Sequence, residues 1–231
     1  MKTLLFSFLA FLVLFIAGCS GTNELAKYNL NGTAVMFTER VSRNASEIQI
    51  TTEDPANKKE DNTVLGILAS VGSDILSDDS KAKLKSAVDT RILAGYVSEG
   101  LRNAMETYLS ITPVDEVSDN PAYIVETVLE ECKLVVKETG VSVYVQANGR
   151  IIDRASGNLV WENWEGQTIP IDQNTTDGKS SKTVVKVFNA LQLSSLDKDE
   201  LNRVVGAAAD DVGAYMAETF REDLVESRTS K

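Results

Sequence analysis

Alternation of apolar and polar side chains is clearest in the middle of the chain, where it predicts strands. Residues 123–136 are rich in β-branched side chains, and residues 141–148 place valine and alanine on one face and polar or aromatic side chains on the other. Turn sequences at 138–140 and 153–158 separate these segments from each other and from a third strand that reaches Trp161. Since a strand with one apolar face packs that face on a core, the pattern predicts a hairpin sheet with one covered and one uncovered face.

A helical spacing of apolar residues covers residues 80–109. Ser80 is a candidate N-cap, and Pro113 restricts the backbone just beyond the predicted end. The stripe that we expect to be buried comprises Leu84, Val88, Ile92, Tyr96, Leu101, Met105 and Tyr108. Residues 64–76 are apolar but rich in glycine and serine, and they suit a further short helix that packs in the core, binds a partner or leans on a membrane.

A second long helix is predicted over residues 197–224, where Asp197 and Glu200 form a pair that resembles a capping box. Small residues at 206–209 would let this helix approach a sheet closely. The predicted buried stripe comprises Leu201, Val204, Val205, Ala208, Val212, Tyr215, Met216, Phe220 and Leu224.

Shorter strand patterns at 33–38 and 48–51 complete the set of predicted elements. Strands and helices that occupy separate stretches of a chain are typical of the α+β class. We therefore expect a mostly antiparallel sheet, with two long helices packed on one face.

An apolar run opens the chain behind the single positive charge of Lys2. Residues 4–17 are too few to span a bilayer comfortably, which takes about 20 apolar residues, and the pattern is typical of a secretory signal peptide. The run ends at Cys19, and the three residues before it are Ile16, Ala17 and Gly18. This sequence resembles the lipobox of bacterial lipoproteins. The resemblance implies lipid transfer to the Cys19 sulfur, cleavage before Cys19 and acylation of the new amine, commonly by palmitate, so that lipid anchors the protein to a membrane.

The lipobox divides the chain into a signal peptide (1–18), a lipidated N-terminus and tether (19–30) and a single periplasmic α+β domain (31–231). In Gram-negative lipoproteins an aspartate after the cysteine favours the inner membrane. Ser20 at this position therefore implies the periplasmic face of the outer membrane, if the source is Gram-negative. Cys132 is the single thiol left once Cys19 carries lipid, so no intramolecular disulfide can form. The apolar strand pattern around Cys132 predicts a buried packing role.

Composition narrows the possible chemistry. The formal net charge of −11 offers no basic stripe for nucleic acid, and the chain has no histidine, the usual general base and the commonest zinc ligand. No P-loop, nucleophile elbow or dinucleotide-binding turn occurs. We therefore expect a protein that is not an enzyme and that needs no metal or cofactor. The least favoured alternative is a carboxylate-dependent glycoside hydrolase, in which Glu162 and Glu165 flank Trp164.

Residues 122–162 contain two strands and the turn sequence DRASGNLVW at 153–161, and a C-terminal helix follows later in the chain. This arrangement resembles ABC-transport auxiliary lipoproteins, lipopolysaccharide-assembly lipoproteins and curli-assembly-type proteins. The resemblance implies an accessory or structural part of an envelope transport or assembly system, with an envelope protein as partner. The candidate surface for a partner or ligand consists of Tyr144, Trp161 and Trp164. The alternative function is binding of a lipid or glycan on the uncovered sheet face.

Overall fold

The computed structural model describes residues 21–52, 86–137, 140–170 and 198–229. The predicted signal peptide, the lipobox and Cys19, the candidate caps Ser80 and Asp197, and residues 64–76 lie outside these ranges. The described elements, in chain order, are β1 (Ala34–Val41), β2 (Gln49–Thr52), α1 (Thr90–Leu109), β3 (Thr112–Val114), β4 (Tyr123–Lys137), β5 (Gly140–Asp153), β6 (Leu159–Pro170) and α2 (Lys198–Thr229).

The six described strands form one sheet in the order β3-β1-β4-β5-β6, and β2 lies beside the far half of β4. Strand β5 is antiparallel to both of its neighbours, β4 and β6. Strand β1 is parallel to both β3 and β4, and β2 is parallel to β4. The α+β class is confirmed, and the sheet is mixed. The chain passes through α1 between β1 and β4. Because this crossover returns the chain to the same end of the sheet, β4 can run parallel to β1.

The predicted hairpin and turn occur where the sequence placed them. Strands β4 and β5 pair from Lys137 opposite Gly140 to Tyr123 opposite Asp153, with one register shift. In the turn after β5, the Ser156 backbone N–H donates to the Asp153 carboxylate over 2.7 Å. Gly157 takes a positive φ of 72° there, a conformation that glycine adopts without steric cost.

Both helices pack on one face of the sheet, α1 over β1 and β4 and α2 over β5 and β6. Gly100 of α1 and Gly213 of α2 meet backbone to backbone, since a Cβ on Gly100 would lie 2.4 Å from the Gly213 carbonyl group. The expectation that residues 206–209 approach the sheet is wrong for Gly206. This glycine faces the Tyr96 ring of α1, because the two helices cross at small residues.

The predicted stripe of the first helix is only partly correct. Val88, Leu101 and Met105 are buried, but Ile92, Tyr96 and Tyr108 are exposed. Leu93, Val97 and Leu109 are buried instead, and each directly follows one of the three exposed residues. The face of α1 that packs on the sheet and on α2 is therefore rotated by about one residue from the predicted face. In α2 the predicted stripe is buried except for Tyr215.

Two further differences concern the first helix. The described helix begins at Thr90, where the Asp89 carboxylate accepts a 3.0 Å hydrogen bond from the Arg91 backbone N–H. After the helix, Thr112–Val114 forms β3 beside β1, which the sequence pattern did not predict. Neither α1 nor α2, the long helices in the described part of the chain, is apolar enough to cross a membrane.

Cys132 is fully buried in the core, as expected. Burial raises the pKa of its thiol to about 12, because the thiolate would lose its hydration there. The side chain therefore acts as a small apolar packing group.

Candidate functional site

The first described residues pair with the edge of β6. The Glu24 backbone N–H donates to the Val160 carbonyl, and the Glu162 N–H donates to the Thr22 carbonyl, each over 2.8 Å. Between these bonds, Asn23 forms an antiparallel bridge with Trp161. The segment predicted as a tether (19–30) is thus part of the folded domain from residue 21 onwards, because its backbone satisfies the free edge of the sheet.

Gly21 allows the closest approach in this segment. A Cβ at this position would lie 1.8 Å from the Glu162 carbonyl oxygen, so any side chain would push the backbone away from β6. Further along, the Asn23 side chain donates to the Asp223 carbonyl of α2 over 3.2 Å, and Leu25 is buried in the core. The chain is therefore held in place from two residues after Cys19.

The two tryptophans lie on opposite faces of β6. Trp161 is fully buried beneath α2, where its ring meets the Phe220 ring edge to face with centroids 5.4 Å apart. Trp164 is 48% exposed on the opposite face, which we call the uncovered face because neither of the described helices α1 and α2 packs on it. Side chains an odd number of positions apart in a strand point to opposite faces. Trp161 therefore does not belong to the candidate surface, whereas Tyr144 and Trp164 remain together on it.

Gly166 of β6 contacts the half-buried Tyr144 of β5 and lies two residues after the exposed Trp164. The Tyr144 ring lies over it, since a Cβ there would be 3.0 Å from the Tyr144 hydroxyl. Burial raises the pKa of this hydroxyl, and the negative charge of Glu131 raises it further. Because Gly166 has no side chain, the Tyr144 ring of β5 can lie against β6, on the same face as Trp164.

A ladder of alternating charges crosses the same face, one residue from each of four strands. Glu126 of β4 pairs with Arg40 of β1 at 2.9 Å and with Arg150 of β5 at 3.8 Å. Arg150 also donates to Glu162 of β6 over 2.7 Å. The sequence pattern does not reveal this ladder, because its four members lie far apart in the chain and meet only through the register of the strands. The uncovered face is therefore not the apolar groove that a lipid ligand would favour.

Glu162 and Glu165 do not form the catalytic pair that the glycoside hydrolase alternative requires. Glu162 is part of the charge ladder on the uncovered face. Glu165 lies on the helix side, where it accepts hydrogen bonds from Thr219 over 2.7 Å and from Asn163 over 2.8 Å. Two carboxylates on opposite faces of one strand cannot flank the same glycosidic bond. Within the described ranges, no three acidic or cysteine side chains converge to form a metal site.

A groove of about 640 Å³ lies between the N-terminal halves of α1 and α2. Ile92 and Tyr96 form its apolar wall, and Arg91, Lys198 and Asn202 are among its polar residues. The sequence pattern does not predict this groove, because Ile92 and Tyr96 fall on the helix stripe that the pattern predicts to be buried. Both side chains are exposed beside the cations Arg91 and Lys198, and Asp89 adds one carboxylate to the lining.

No family model matches the chain, and comparison with curated proteins finds no match. Among solved structures, PelC from Paraburkholderia phytofirmans, described as a dodecamer, aligns at 15% identity and a TM-score of 0.30, covering 75% of this chain and 91% of that chain. The protein XCC0632 from Xanthomonas campestris aligns at 7% identity and 0.38, covering 84% and 89%. Lipoprotein GNA1162 from Neisseria meningitidis aligns at 12% identity and 0.24, covering 63% and 88%. Similarity at this level carries no function over to this chain.

Proposed function

We propose that the protein is a lipid-anchored accessory protein of the bacterial envelope that acts by binding another protein and not by catalysis. The observation that carries the proposal is the groove between α1 and α2, because it combines exposed apolar side chains with two cations on a well-packed helix pair. The anchor is the lipid on Cys19, and Ser20 favours the periplasmic face of the outer membrane.

The need for a lipid anchor follows from charge. A domain with a formal net charge of −11 is repelled by anionic headgroups, so covalent lipid must supply the attachment. Two or more acyl chains are sufficient for stable anchoring.

The lining of the groove indicates the chemistry of the partner. Ile92 and Tyr96 are four residues apart in α1 and so share one helix face. Two cations and one carboxylate, Asp89, line the same groove, so its formal charge is positive by one. Exposed tyrosine and aliphatic side chains enclosed by polar groups are typical of protein interfaces. A partner segment that carries apolar and acidic side chains would complement this lining.

Photo-crosslinking in living cells tests the proposal. The crosslinking amino acid benzoylphenylalanine is placed at Ile92, which is 56% exposed in the groove, and, as a matched control, at Val117, which is 54% exposed outside it. We expect an adduct of one discrete mass at Ile92 that weakens when Arg91→Glu and Lys198→Glu are combined, and none at Val117. Equal adducts at both positions, or an Ile92 adduct unaffected by charge reversal, would contradict a specific groove partner.

A further inference from the structure

We propose that the uncovered sheet face around Trp164 rests on the headgroup layer of the bilayer, so that the groove between α1 and α2 points away from the membrane. This inference depends on the proposed lipidation of Cys19. It adds an orientation and a membrane-contact residue, neither of which follows from lipidation alone.

The first step is the distance between the anchor and the folded domain. Gly21 is fixed against Glu162 and Asn163 of β6, and Cys19 precedes it by two residues. Two residues of extended chain span at most about 7 Å. The acyl chains must therefore enter the membrane beside β6, and the domain cannot move far from the bilayer surface.

The second step is the side chain found beside this attachment point. Trp164 follows Asn163 in β6, and it is 48% exposed on the face away from the helices. The amphipathic indole ring is enriched at membrane–water interfaces, where its apolar body and polar N–H are both satisfied. An exposed indole held beside a lipid anchor suits headgroup contact.

The charged side chains of the ladder on the uncovered face are paired with one another. The ladder beside Trp164 pairs Arg40 and Arg150 with Glu126 and Glu162, so its formal charges cancel within a protein of net charge −11. Repulsion from a phosphate-bearing surface is therefore weaker at this face than the net charge implies. The helix layer, whose residues form most of the groove lining, lies on the opposite side of the sheet.

Fluorescence quenching by brominated phosphatidylcholine tests the contact in the mature, lipidated protein. Trp164→Phe is the matched variant, because it leaves the buried Trp161 as the single tryptophan. We expect brominated vesicles to remove about half of the Trp164 contribution, since an interfacial indole lies near the outer acyl segments, and to leave the emission of the Trp164→Phe protein unchanged. Vesicles of unbrominated phosphatidylcholine provide the baseline.

Flotation of the same samples separates the two proposals. Protein that does not float with vesicles lacks its anchor, and both the anchoring and the contact are then wrong. Protein that floats but is not quenched overturns the contact and leaves the anchor standing. Trp164 would then be available for a glycan or protein ligand.

A linker variant tests the argument from distance. Insertion of about ten glycine and serine residues between Ser20 and Gly21 would supply a flexible spacer. We expect flotation to persist and quenching of Trp164 to fall, since the domain would no longer be held at the surface. Undiminished quenching would show that the short connection does not orient the domain.

Discussion

The indole N–H of Trp161 donates a 2.7 Å hydrogen bond to the Asp223 carboxylate of α2. This bond joins the last turns of the C-terminal helix to the strand that also receives the N-terminal segment, since Asn23 contacts both residues through its backbone bridge and its side chain. One buried indole thus connects the beginning, the middle and the end of the domain.

Asp223→Ala is expected to destabilise the protein by about 1 to 3 kcal/mol, because it leaves the indole N–H of a buried tryptophan without its acceptor. Urea unfolding followed by circular dichroism measures the change. Glu222→Ala is the control, since its exposed side chain has a long 4.0 Å contact with Arg221. Equal stability of the two variants would mean that the hydrogen bond to Asp223 contributes little.

The helix crossing offers a pair of matched glycine substitutions. Gly100→Ala is expected to destabilise the protein by about 1 to 3 kcal/mol, because its new Cβ would lie 2.4 Å from the Gly213 backbone and would push α1 and α2 apart. Gly95→Ala in the same helix meets no atom within 4 Å, so it should stabilise the protein by about 1 kcal/mol through helix propensity. Thermal unfolding measures both changes, and the same sign for both would contradict the crossing geometry.

Gly21→Val is expected to detach the N-terminal segment from β6 while the rest of the domain stays folded. The reason is the 1.8 Å approach to the Glu162 carbonyl oxygen, which no side chain can share. Hydrogen exchange should become faster at the Glu24 and Glu162 amides, whose acceptors lie across this contact. Thr22→Ala is the control, because Thr22 accepts the Glu162 bond through its backbone carbonyl. Unchanged exchange in the Gly21→Val protein would argue against the edge pairing.

The thiol of Cys132 is expected to resist alkylation by iodoacetamide at pH 8 in the folded protein and to react fully in urea. Burial raises its pKa from 9.0 to about 12, so the reactive thiolate is scarce in the folded state. Because the folded-state pKa lies above the unfolded one, this group should lower stability as the pH rises from about 9 towards 12. Mass spectrometry of the labelled protein measures reactivity, and rapid native labelling would indicate an accessible thiol.

Ser20→Asp is expected to move the protein from the outer to the inner membrane of a Gram-negative host, and Cys19→Ser is expected to abolish lipid attachment. Separation of the two membranes by density, together with palmitate labelling, measures both outcomes. Ser20→Thr is the control for the first change, since it alters the position without adding charge. Palmitate incorporation by the Cys19→Ser protein would contradict the predicted lipobox.

Features that depend on local pattern can be predicted well from the sequence. The hairpin of β4 and β5, the turn after Asp153, the buried Cys132 and most of the α2 stripe follow from side-chain periodicity and turn chemistry within a few residues. The stripe of α1 was harder, because its exposed and buried faces both carry apolar side chains. Ile92 and Tyr96 were assigned to the core for this reason, and they line the groove instead.

The amino-acid sequence is therefore sufficient to predict the class of fold, the main strands and helices, and the lipidation of Cys19, since these depend on patterns that neighbouring residues share. Tertiary structure alone decided the parallel pairing of β1 with β4, the assignment of Trp161 to the core and Trp164 to the uncovered face, and the ladder from Arg40 to Glu162. Each of these depends on strand register and helix placement between distant parts of the chain. A shift of one residue in register would turn every side chain of a strand to the other face, and local periodicity does not contain that information.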